Sequence, residues 1–84
     1  MEDDADAGTA VPEGRYANYF QIGHNAFEFL LEFGQAYGGV SPAMHTRIIA
    51  GPVYAKVLLE MLAESIGRFE HTFGPIPEPD EADR

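Results

Sequence analysis

Ala26-Phe27-Glu28-Phe29-Leu30-Leu31-Glu32-Phe33 is the stretch that decides the fold. At a helical period its phenylalanines and leucines scatter around the axis. At period two, Phe27, Phe29, Leu31 and Phe33 gather on one face and Glu28, Leu30 and Glu32 on the other. The strand reading therefore wins, and the chain around it falls into order. Upstream, Arg15 to Gly23 reads as another strand, with Tyr16, Asn18, Phe20 and Ile22 opposite Ala17, Tyr19 and Gln21. Gly23-His24-Asn25 is a turn signal between the two. Downstream, Gln35 to Ala43 reads as a loop, broken by Gly38-Gly39 and Ser41-Pro42. Met44 to Ala50 alternates again, Met44, Thr46, Ile48 and Ala50 against His45, Arg47 and Ile49. Three strands with a tight first turn predict an antiparallel meander.

A helix follows at once, from Pro52 to Phe73. Gly51 is a tolerable N-cap, and Pro52 suits the first turn, where its missing N–H costs nothing. Gly74 suits the left-handed position after the last turn, and Pro75 prevents continuation. His71, when protonated, sits favourably at the negative end of the dipole, and Glu64 and Arg68 are spaced to pair at i, i+4. Ala55, Leu58, Leu59, Leu62, Ile66, Phe69 and Phe73 form a stripe roughly 100° wide, which is expected to pack on the phenylalanine face of the sheet. Tyr54, Val57 and Met61 widen the apolar arc to about 200°, more than a surface helix on one small sheet requires. The second sheet face carries a smaller apolar centre of Tyr19, Leu30 and Ile49, with Glu28, Glu32 and Arg47 around it.

The expected architecture is α+β: a three-stranded antiparallel meander followed by one long C-terminal helix packed on the sheet, as a single domain over residues 15–75. Residues 1–14 and the proline-containing segment 76–84 read as disordered acidic tails. The net charge of −9 belongs mostly to those tails, because 15–75 holds five acids against Arg15, Arg47, Lys56 and Arg68. No cluster of Lys and Arg is present to bind phosphates, which argues against nucleic acid as a partner. No apolar run approaches the ~20 residues of a membrane span, and residues 1–14 lack the basic and apolar regions of a signal peptide. A cytoplasmic location is the expectation. A chain of 84 residues without cysteine has a small core and no disulfide to support it, and a partner subunit is a common substitute. The sequence thus predicts a homodimer or homotetramer, with Tyr54, Val57 and Met61, then Tyr19, Leu30 and Ile49, at the interface.

Catalytic and cofactor signals are weak. His24, His45 and His71 lie in a turn, on a strand and at a helix end, without metal-ligand spacing or a cysteine to join them, so no metal or cofactor is expected. Ser41 and Ser65 have no nucleophile-elbow context. Gly34, Gly38 and Gly39 form no phosphate-binding fingerprint. Alternating Glu28 and Glu32 read as a solvated strand face, paired across strands with Arg47. Asn18, on an apolar face, reads as an edge cap or a satisfied amide. The remaining enzyme or ligand-binding reading needs His45, Arg47 and Glu32 to converge in a concave pocket.

Several pieces together resemble a bacterial family known as domain of unknown function 3467: Tyr16-Ala-Asn-Tyr-Phe-Gln-Ile22, Glu28-Phe-Leu-Leu-Glu-Phe-Gly-Gln35, Arg47-Ile-Ile49 with Pro52, Ala55-Lys56 with Leu58-Leu59, and Phe69-Glu-His-Thr-Phe-Gly74. The resemblance implies one compact domain and carries over no catalytic residue. At the level of fold alone, strands beside a long helix on an acidic chain are also similar to SecB-type export chaperones, which makes binding of unfolded polypeptide an alternative. The leading expectation is a non-catalytic, homo-oligomeric protein-binding or scaffold module.

Overall fold

The computed structural model describes residues 11–79; most of the two acidic tails, residues 1–10 and 80–84, lies outside the described residues. Strands β1 (Tyr19–His24), β2 (Phe29–Tyr37) and β3 (Val40–Ala50) precede one helix, α1 (Pro52–Phe73). They form a single sheet in the order β1-β2-β3, an antiparallel meander.

The first hairpin is set by Asn25. Its side-chain oxygen accepts hydrogen bonds from the backbone N–H groups of Phe27 (2.7 Å) and Glu28 (2.9 Å). Its own N–H donates to the Glu28 carbonyl at 3.0 Å. An Asx-type turn of this kind holds the chain reversal without a glycine. The second hairpin is tighter than the sequence predicts. Gly38 and Gly39 form the turn, Gly39 at φ 78°, a backbone region that glycine enters without strain. Gln35 to Tyr37 and Val40 to Ala43, expected as loop, are therefore strand. Pro42 is tolerated because β3 is an edge strand and need not donate on its outer side.

The chain divides into two compact units, one comprising the residues up to Gln21 with Glu32–Arg47, the other Ile22–Leu31 with Ile48 onward. In the first, the Phe20 and Phe33 rings meet edge to face at 5.8 Å, a favoured aromatic geometry. Asn18 acts as an extra strand residue: its amide nitrogen donates to the Ala36 carbonyl (3.2 Å) and its amide oxygen accepts from the Ala36 N–H (2.8 Å). That is the edge-cap reading of this residue, with both amide atoms satisfied. Gly34 is buried, and a Cβ there would collide with the Ala43 carbonyl and lie 2.8 Å from the Met44 sulfur.

In the second unit, His24 and Phe29 stack at 5.4 Å with a tilt of 34°. Leu31, on the central strand, is 8% exposed and is the one buried large apolar residue among the described residues. Helix α1 has the predicted bounds and ends. Ala55 N–H donates to the Gly51 carbonyl and Gly74 N–H to the Glu70 carbonyl, each at 2.9 Å. Gly74 takes φ 99°, and Arg68 pairs with Glu64 at 2.9 Å.

No residue of α1 is buried; Ala55 and Glu70 are half-buried and the rest of the helix is exposed.

Candidate interaction surface

Two surfaces carry the residues that the sequence singles out. The first is polar and lies on β2 and β3. Arg47 donates to one oxygen of Glu32 through Nε at 2.9 Å and through a terminal nitrogen at 2.7 Å. His45 lies beside this pair, and Glu32, Met44, His45, Thr46 and Arg47 line a shallow, open hollow. The three residues do converge. Several of their polar atoms, however, are engaged with protein. His45 Nε2 lies 2.9 Å from the Tyr16 carbonyl, which can only accept, so this nitrogen carries a proton. In the neutral ring Nδ1 then accepts from the Thr46 hydroxyl at 2.7 Å. The arrangement ties β3 to β2 and to the segment before β1. Among the described residues it presents no group of three metal-ligating side chains.

The second surface is α1. Leu59 is 65% exposed, Leu62 55%, Ile66 40%, Phe69 48% and Phe73 74%. Neighbouring turns of a helix shield one another's side chains, so exposures of this size leave little cover from outside the helix. The flank is no different: Tyr54 is 71% exposed, Val57 40% and Met61 64%. The sequence reading divides the helix into a stripe that holds the fold and a flank left for a partner, and the structure draws no such line. Of the second-ranked positions, Ile49 is exposed while Tyr19 and Leu30 are half-buried.

At the start of α1, Phe29, Pro52, Ala55, Lys56 and Leu59 line an apolar hollow. At its end, the Phe69 and Phe73 ring centroids lie 5.0 Å apart with the planes tilted by 47°, and Glu70 closes the last turn by accepting the Ile76 N–H at 2.9 Å. The exposed stripe carries a further pattern: Ala55, Leu59, Leu62, Ile66, Phe69 and Phe73 alternate steps of four and three, a spacing that also suits packing on another helix.

Among the described residues no helix is long and apolar enough to cross a membrane. A family model described as "Protein of unknown function (DUF3467)" matches residues 3–78. No curated protein and no solved structure matches the chain.

Proposed function

We propose that this chain, which belongs to the DUF3467 family, works by binding rather than by catalysis, as a small cytoplasmic homo-oligomeric module whose helix is its assembly surface. The observation that carries this reading is the 22-residue helix without a buried residue. A helix that is apolar over most of its circumference is stable where something covers it. A chain of this size with one buried large apolar residue among those described falls short of the core an independent domain needs. The partner always available is another copy, and folding then depends on association.

The flank of Tyr54, Val57 and Met61, with Ile49, adds apolar surface for a protein partner or for a second level of assembly. The hollow at His45 supports a ligand-binding role less well, because Arg47 is paired with one oxygen of Glu32 and both ring nitrogens of His45 are bonded, to the Thr46 hydroxyl and the Tyr16 carbonyl. Size-exclusion chromatography with light scattering tests the reading. Association predicts a mass that is a multiple of 9.2 kDa and falls on dilution. A folded 9.2 kDa species at all concentrations would remove it.

A further inference from the structure

We infer that α1 of two copies pair antiparallel, in one register, about a two-fold axis level with Glu64. The inference rests on the homo-oligomeric reading and specifies its interface. It starts from the seam Ala55, Leu59, Leu62, Ile66, Phe69 and Phe73, whose alternating steps of four and three run the length of the helix. A 3.5-residue repeat of this kind suits a second helix wound against the first, each seam residue seated between four of its partner. The described residues contain one long helix per chain, so the second comes from a second copy.

Side-chain size selects the orientation. In a parallel pair Phe73 meets Phe73 at one end and Ala55 meets Ala55 at the other, a crowded layer and an empty one. In the antiparallel pair Ala55 faces Phe73, Leu59 faces Phe69 and Leu62 faces Ile66, so large faces small and the layers have similar volume. Two features of the helix agree with this. Phe73 is the most exposed large apolar residue on α1, at 74%. Ala55 lies in the apolar hollow with Phe29, Pro52, Lys56 and Leu59, where an incoming phenylalanine ring has a place.

Charge selects the same register. Positions flanking the seam on one side are Lys56, Ala63 and Glu70. In the antiparallel pair Lys56 of each copy lies beside Glu70 of the other, giving two ion pairs related by the axis. Among the described residues Lys56 has no hydrogen-bond or ion-pair partner. One oxygen of Glu70 holds the Ile76 N–H, which leaves the other for Lys56. In a parallel pair Lys56 would face Gly51 and Glu70 would face Ser65, with no charge pairing.

The area is sufficient. Scaling the exposures of Leu58, Leu59, Leu62, Ile66, Phe69 and Phe73 by about 200 Å² per large side chain gives roughly 650 Å² of apolar surface per helix. That is close to the ~800 Å² per partner of a stable interface.

Two experiments on the full chain test the pairing. In the first, Lys56→Glu and Glu70→Lys are made singly and together. Each alone sets like charges beside one another and weakens dimerisation about five- to tenfold, and the double variant restores it. In the second, the absence of cysteine allows a single spin label at Thr72→Cys. Thr72 lies opposite residue 56 of the other copy in this register, so the expected separation between labels is roughly 24 Å before label length. A parallel pair would bring them within about 10 Å. A dimeric mass with another distance, or single variants without effect, overturns the register and leaves the homo-oligomer standing. A monomeric mass overturns both.

Discussion

Gly34 is the residue whose side chain is most tightly specified, because the backbone of Ala43 occupies the place a Cβ would take. Gly34→Ala is expected to destabilise the fold by about 1–3 kcal/mol, the usual cost of overpacking, as a shift in the urea midpoint. Asn18 is the counterpart at the sheet edge. It closes two hydrogen bonds to the Ala36 backbone, and Asn18→Ala should cost about 1 kcal/mol because water replaces part of what is lost at an exposed site. Arg47→Ala should cost about 1–3 kcal/mol. The Arg47 side chain is 67% exposed, but the Glu32 side chain it leaves without its partner is only 15% exposed. If Arg47→Ala instead abolished a binding activity while the urea midpoint held, the polar hollow would have a role beyond tying strands together.

At the scale of elements, the contrast to make is between two adjacent residues of α1. Leu62 sits on the seam and Met61 one step off it. Leu62→Glu should abolish dimerisation, while Met61→Glu should leave the pair intact and act on any further assembly or partner binding through the Tyr54, Val57 and Met61 flank. Sedimentation velocity on both variants checks this, and the reverse pattern would place the interface on the flank, as the sequence alone suggests. The helix was legible in sequence to the residue because its ends carry glycine and proline with opposite conformational demands. The alternation in Ala26 to Phe33 also revealed β2, though its start moved to Phe29 once Asn25 took the turn. The stretch Gln35 to Ala43 was not legible, because Gly38-Gly39 can end a strand or reverse it within two residues, and Pro42 rules out a central strand but not an edge. What covers the seam was not legible for a different reason. Period 3.6 and period 3.5 differ little over 22 residues, and a stripe on a helix does not say whether its cover comes from the same chain.

For the whole molecule, the decisive property is how little apolar surface the described chain covers by itself. A single buried large apolar residue, Leu31, among the described residues is a small core for one copy, and in the proposed assembly association supplies what that core lacks. The thermal midpoint should therefore rise with protein concentration, a dependence absent from an autonomous domain. Circular dichroism melts at several dilutions would show it. The central claim, that this chain folds as an assembly held by α1, is tested most directly by sedimentation equilibrium from the lowest detectable concentration upward. The account expects twice 9.2 kDa, or a higher multiple, dissociating with loss of helical signal on dilution. A folded species of 9.2 kDa that keeps its helix at every concentration would contradict it.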